Sequence, residues 1–272
     1  MSDFGDYSSA SKVRSCSFRL PDMAKIRGQA EQLRRDEDRF RRFWEGKGLA
    51  RALGLGSGSG SKQAVVLLHF VTDRACELDL AFPSLQLDSV SAEHCVVMTQ
   101  RQALTLICAA FVDIVPLSPP GFDASHLTFC NMDNAEMLKC VALYLEVQRQ
   151  RLLADPHWTG SLLSYSRRAL PPQTLAQPEH WEALLSTPLG PMEVRAEGDI
   201  AYTRHCLQAD FANEWVGGGT LCGGCVQEEI RFVLSPECLV SMMLCDRMRD
   251  DEVCFLRITL LSPFRLNDSL TD

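Results

Sequence analysis

Between Ala209 and Glu237 the chain reads ADFANEWVGGGTLCGGCVQEEIRFVLSPE, and this stretch restricts its fold more tightly than any other. Gly217, Gly218, Gly219, Gly223 and Gly224 give a backbone that can approach a ligand closely and turn several N–H groups towards it. Such a loop suits a diphosphate. Gln227, Glu228 and Glu229 follow, an amide and two carboxylates set against the apolar run IRFVL, which reads as a strand from Ile230 to Leu234. Polar reactive groups therefore stand at the end of a core element. Asp210 and Asn213, on the other side of the glycines, are placed to fold back onto a sugar or base edge. Composition also allows a plainer reading, a solvent-facing glycine turn with exposed glutamates. That reading does not account for acids running straight into IRFVL. The segment is neither the GxGxxG of dinucleotide folds nor the GxxxxGK[ST] of ATPase-type phosphate loops.

The chain has 272 residues, 46% of them hydrophobic, enough for one or two packed domains. Its 35 acidic and 27 basic residues leave a net charge of -8, which argues against a broad duplex-nucleic-acid surface but not against a local anion pocket. Twelve cysteines are scattered through a chain too long to need disulfide staples, and no apolar secretory leader precedes them, so reduced thiols in the nucleus or cytoplasm are expected. The longest apolar run, Leu104 to Leu117, carries Asp113 and Pro116 and is shorter than a bilayer span; no membrane association is expected.

Three regions are expected along the chain. Residues 1–63 comprise a charged arm and a Gly/Ser linker, residues 64–155 a helical region, and residues 156–272 the part that carries the glycine loop. In the arm, Phe40 and Trp44 share one helical face, and the choice between a docked helix and a solvated arm is open. GLGSGSGSK reads as a flexible linker. AVVLLHFV fits a short strand or the end of a helix. Thr99 precedes a core helix in which Ala103, Leu106, Ala110 and Ile114 recur at helical spacing, stopped by the SPPG at Ser118. A second helix places Met137, Val141, Tyr144 or Leu145, and Gln148 on successive turns, with Asn131 or Asp133 as its cap. MEVRAEG, HCLQADFA and DEVCFLRITLL read as strands, with a helix beyond Pro236.

GGGTLCGGCVQEEIRF, preceded by DFANEWV, resembles the signature of the poly(ADP-ribose) glycohydrolases, a triple glycine followed at a fixed short interval by Gln-Glu-Glu. TQRQALTLICAAFV, KCVALYLEVQRQ and SYSRRAL resemble further parts of the family, so that the resemblance runs from about Val65 to Leu244. It implies an α/β fold, a macrodomain-like mixed sheet flanked by helices with an N-terminal helical accessory region, and hydrolysis of ribose–ribose linkages in poly(ADP-ribose). Glu229 would be the general acid–base, Glu228 would hold ribose hydroxyls, and Gln227 would line the pocket. Gly217, Gly218 and Gly219 would give N–H groups to the diphosphate, Asn213 would contact ligand, and Asp210 would organise the loop. Neither metal nor cofactor is implied. The partners implied are poly(ADP-ribose), ADP-ribose and proteins modified with the polymer, in the setting of the DNA damage response, and the chain is expected to be a monomer. Members of the family continue further past Gln-Glu-Glu, through a tyrosine-rich segment and a phenylalanine that closes on adenine. Here 43 residues follow Glu229, none of them tyrosine, with Phe255 and Phe264 as late aromatics, so a body shortened or divergent at its C-terminus is expected. The alternative function is accordingly a weak or inactive homologue that binds ADP-ribose or serves as an interaction module.

Several other groups are read more plainly. Arg167 and Arg168 suit an anionic polymer or a surface pair, His126 and His205 suit packing or the surface, and Met242, Met243 and Leu244 suit a buried helix face. Cys222 and Cys225 form a CGGC without the second half of a zinc site and read as thiols packed in the glycine loop. Their position beside the diphosphate site predicts that alkylation with N-ethylmaleimide abolishes ADP-ribose binding measured by calorimetry; full binding by a protein alkylated at both would refute that placement.

Overall fold

The computed structural model describes residues 17–46, 59–84, 86–91, 94–118, 134–169 and 206–258, with scattered positions at 128–132 and 182–203. The elements are β1 (Ser17–Arg19), α1 (Met23–Arg35), α2 (Glu37–Gly46), α3 (Ser59–Ala75), α4 (Leu78–Ala81), β2 (Gln86–Asp88), β3 (Val96–Thr99), α5 (Gln100–Phe111), α6 (Ala135–Ala154), β4 (Leu162–Ala169), α7 (Gln227–Leu234), a 3-10 turn (Pro236–Val240), α8 (Ser241–Leu244) and β5 (Glu252–Arg257). Strands β3, β4 and β5 form an antiparallel sheet in that order, and β1 pairs with β2. Every pairing among the described residues is antiparallel.

Helix α5 is the centre of the core. Thr99 accepts a hydrogen bond from Gln102 N while the Gln102 side chain accepts from Thr99 N at 2.9 Å, a capping box that satisfies two otherwise orphaned donors. Ten of its twelve residues are buried. The helix ends at Phe111, earlier than the SPPG stop expected from the sequence. Asp113 adopts φ 56° there, and the N–H groups of Ile114 and Val115 turn back onto Ala109 O. Ile114 is still buried, but beyond the helix.

AVVLLHFV lies inside α3, which begins at Ser59 and so takes the end of the Gly/Ser run into its first turn. The charged arm is two helices broken at Asp36 rather than one. It is docked, because Ile26, Ala30 and Phe40 are buried in the common core, while the side chain of Trp44 lies outside the described residues. In α6 the expected face is buried, and Asn134 is the cap, accepting from Glu136 N and Met137 N; Asn131 and Asp133 lie outside the described residues. Among the described residues no helix is long and apolar enough to cross a membrane.

Three strand expectations fail. IRFVL belongs to helix α7, where Glu228, Glu229, Phe232 and Val233 share the buried side and Ile230 is exposed. Its β-branched and aromatic residues suit a strand, but the face they form has helical spacing, and packing on one side overrides propensity. The described parts of MEVRAEG and HCLQADFA are largely exposed and form no strand, and among the described residues no strand pairs with them to take up their backbone groups. DEVCFLR does form β5.

Two buried polar groups tie the site to the body. Glu237, fully buried in the 3-10 turn just after α7, accepts from Gln100 Nε2 at 3.1 Å, and its carbonyl accepts from the Tyr165 hydroxyl at 2.8 Å. Arg167 is not at the surface. It is buried on β4, ion-paired with Glu252, and donates to the carbonyls of Asp246 and Arg247. Arg168 is exposed. Because Thr99 caps the helix on which Gln100 and the core depend, Thr99→Ala is expected to lower unfolding free energy by about 1 kcal/mol in a denaturant titration; an unchanged midpoint would show the cap to be idle.

Candidate active site

Helix α7 starts with three side chains that are all turned onto the chain preceding it. Gln227 Oε1 accepts from Phe211 N at 3.0 Å, and its Nε2 donates to Ala209 O at 3.2 Å. Glu228 accepts from Asn213 N at 2.9 Å on one oxygen and from Gly217 N at 2.7 Å on the other. Glu229 accepts from Gly219 N and from Val226 N, both at 2.9 Å. Val226 stands at the N-cap position with no polar side chain, so only the reverse half of a capping box exists, supplied by Glu229. Both acids are almost fully buried, at 2% and 5% exposure, and the four backbone donors are what make that burial tolerable.

The loop is glycine because the carboxylates fill the space where side chains would stand. At Gly218 (φ +49°) an added Cβ would lie 2.6 Å from Glu229 Oε1 and 2.8 Å from Glu228 Oε2, and at Gly224 it would lie 2.7 Å from the Glu229 carboxyl. Further turns close the loop. Gly218 N donates to Trp215 O, Thr220 N to Gly217 O, and both Cys222 N and Gly224 N to Gly219 O. The N–H groups of Gly217, Gly218 and Gly219 are therefore all taken up within the protein, and in this arrangement none of them points to a diphosphate.

Asp210, Glu228 and Glu229 interact electrostatically as one acidic group. Burial pushes the Glu228 carboxyl up to about 7, opposed by the two N–H donors and reinforced by the charges of Asp210 and Glu229. Asp210 is exposed as a residue, but its carboxyl is partly desolvated, which raises it; Glu229 adds to the rise and Arg231 opposes it. Asn213 is exposed, its side chain accepting from Trp215 N at 3.0 Å. Cys222 and Cys225 are exposed at the loop's far end, where Asn134 Nδ2 donates to Cys225 Sγ at 3.5 Å. Among the described residues no group of three or more His, Cys, Asp or Glu side chains is placed to hold a metal ion.

Residues 178–259 match the family model of the poly(ADP-ribose) glycohydrolase catalytic region, described as having the macrodomain fold. Here the chain is similar to the poly(ADP-ribose) glycohydrolases. It is 33% identical over 147 residues to poly(ADP-ribose) glycohydrolase 1 of Caenorhabditis elegans, an alignment covering 53% of this chain and 18% of that protein. It is 43% identical over 74 residues to poly(ADP-ribose) glycohydrolase 2 of the same worm, covering 27% of this chain and 15% of that one. With poly(ADP-ribose) glycohydrolase 1 of Arabidopsis thaliana it shares 52% identity over 48 residues, covering 18% and 9%. The matched stretches thus span less than a fifth of the length of these relatives. The glycohydrolase-like segment contains every site residue expected from the sequence.

Several contributors were not singled out as part of the site. Glu237 fixes the turn behind α7, and a charged residue inside SPECLV was its visible signal. Glu214 links the glycine loop to the segment before β5, through Met248 N to Glu214 O at 2.7 Å and an Arg247–Glu214 ion pair at 2.6 Å. Nothing local in the sequence marks that pair.

Because the folded state holds the Glu228 proton more tightly than the unfolded chain, stability from this residue is present at low pH and falls as pH rises from about 4.5 to about 7. The stability advantage of the wild type over Glu228→Gln is thus expected to shrink across that window, by at most about 3 kcal/mol. Urea titrations of both proteins at pH 4.5, 6 and 8 measure it, and a difference that stays constant would contradict the raised proton affinity.

Proposed function

We propose that this chain hydrolyses ribose–ribose O-glycosidic linkages in poly(ADP-ribose) and releases ADP-ribose, with Glu229 as the general acid–base. The reading is carried by one observation, the adjacent buried carboxylates of Glu228 and Glu229 held by backbone N–H groups of a glycine loop within the family-matched segment. Each Glu229 oxygen accepts one N–H, and a carboxylate oxygen has two lone pairs, so a position for a proton remains. From it Glu229 protonates the leaving ribose oxygen as positive charge develops at the anomeric carbon, then takes a proton from the attacking water. Glu228 holds ribose hydroxyls, Gln227 lines the pocket, and Asn213 meets the ligand at the exposed side. The two acids are neighbours on one helix turn and do not face each other across a bond as the paired acids of ordinary glycosidases do, so one residue serves both proton transfers.

A second reading is favoured by the filled hydrogen bonds of the triple glycine. In it the acids serve as loop staples, and the chain binds ADP-ribose or another protein without turnover. The two separate in one experiment. Under the hydrolase reading Glu229→Gln loses at least about 100-fold in kcat on poly(ADP-ribose). Its calorimetric affinity for ADP-ribose is kept, and circular dichroism confirms its fold. No ADP-ribose release by well-folded wild type would sink the hydrolase reading. If calorimetry then shows binding that Gly218→Leu abolishes, the binding reading stands; no binding at all removes it as well.

A further inference from the structure

Arg167, on β4, is 6% exposed, although its neighbour Arg168 faces solvent. A guanidinium in such a place needs acceptors within reach of its planar fork. They come from one short stretch that leads into β5. Nη1 donates to Asp246 O at 3.3 Å, Nη2 donates to Arg247 O at 2.5 Å, and Nη2 is also ion-paired with the Glu252 carboxylate. Glu252 stands opposite Ala169 in the register of β4 and β5, and its side chain accepts from Arg249 N at 2.8 Å. Residues 246–252 are thereby gripped at both ends from the sheet.

The middle of the gripped stretch reaches the glycine loop. Met248 N donates to Glu214 O at 2.7 Å, and the Arg247 guanidinium meets the Glu214 carboxylate at 2.6 Å. Asn213, the preceding residue, gives its N–H to Glu228 at 2.9 Å, and its side chain accepts from Trp215 N at 3.0 Å, which closes a turn around Glu214. Glu229 is held from a different side, by Gly219 N and Val226 N.

We propose that Arg167 is a positioning residue for the candidate site, holding the Asn213 N–H on Glu228 through residues 246–248 and Glu214. The kinetic consequence of this role rests on the hydrolase reading, whereas its structural consequence rests on the contacts alone. In that reading Glu228 holds ribose hydroxyls and Glu229 moves the proton, so the two halves of the site respond differently. Loss of the grip loosens the half that orients the sugar and leaves the half that carries the chemistry. A guanidinium is required because one rigid fork meets two successive carbonyls and a carboxylate together. A lysine ammonium keeps a charge beside Glu252 but has no second arm at fixed spacing for the carbonyls.

Arg167→Lys in the full chain tests this, with Arg247→Ala as a second variant at the exposed end of the link. Circular dichroism checks the fold, and hydrogen exchange is read at single amides by NMR. In Arg167→Lys the Asn213 amide is expected to exchange about 10-fold faster while the Gly219 amide keeps its rate. Arg247→Ala is expected to show the same pattern to a smaller degree, and it decides the matter if Arg167→Lys does not fold. In both variants KM for poly(ADP-ribose) and the calorimetric Kd for ADP-ribose rise, by about 10-fold in Arg167→Lys, with kcat held within about 3-fold. Equal acceleration at Asn213 and Gly219 would reduce Arg167 to a general stabiliser and overturn the proposal, as would unchanged exchange at Asn213 in a folded variant. A fall in kcat with KM unaltered would refute the division between the two acids. A wild type that neither binds nor turns over removes the hydrolase reading, and the exchange rates still decide the positioning role.

Discussion

Two carboxylates taken out of water demand compensation, and the local fold is organised around meeting that demand. Glu228 and Glu229 receive four backbone N–H groups, from Asn213, Gly217, Gly219 and Val226. A buried charge without such donors would cost several kcal/mol. The loop path follows from this requirement, since each donor fixes one point on the chain between Asn213 and Val226. The glycines follow as well, because at Gly218 and Gly224 a side chain would occupy the carboxylates' place.

Behind the acids stands a second layer that gives α7 a fixed platform. Its Phe232 and Val233 enter the core, and the turn that follows is anchored by Glu237 to Gln100 at the start of α5 and to Tyr165 on β4. The helix bearing the acids is thus tied to the most deeply buried helix and to the central strand of the three-stranded sheet. A loop that must present groups to a ligand gains precision from such rigid support.

What could be read from the sequence was whatever depends on near neighbours or on a period. Thr99 ahead of the spacing of Ala103, Leu106 and Ala110 announces α5, and Met137, Val141, Tyr144, Leu145 and Gln148 announce the face of α6. The Gln-Glu-Glu cluster was visible as a site, but apart from Val226 the partners of its side chains, ten to eighteen residues back along the chain, were not. The diphosphate role given to the glycine N–H groups missed that the acids themselves claim Gly217 and Gly219. IRFVL was misread because five residues of strand-like composition are too short to reveal helical periodicity without the polar residues before them. Arg167 looked like a surface cation because its partner, Glu252, lies 85 residues further on.

The staples between α7 and the glycine loop also bind the two into a single cooperative unit. Amides of Gly217 and Gly219 are shielded only while the first turn of α7 is in place, and both acids are buried only while those amides face them. Local opening of that turn therefore releases the glycine donors and the carboxylates in one event. Neither can be uncovered by itself.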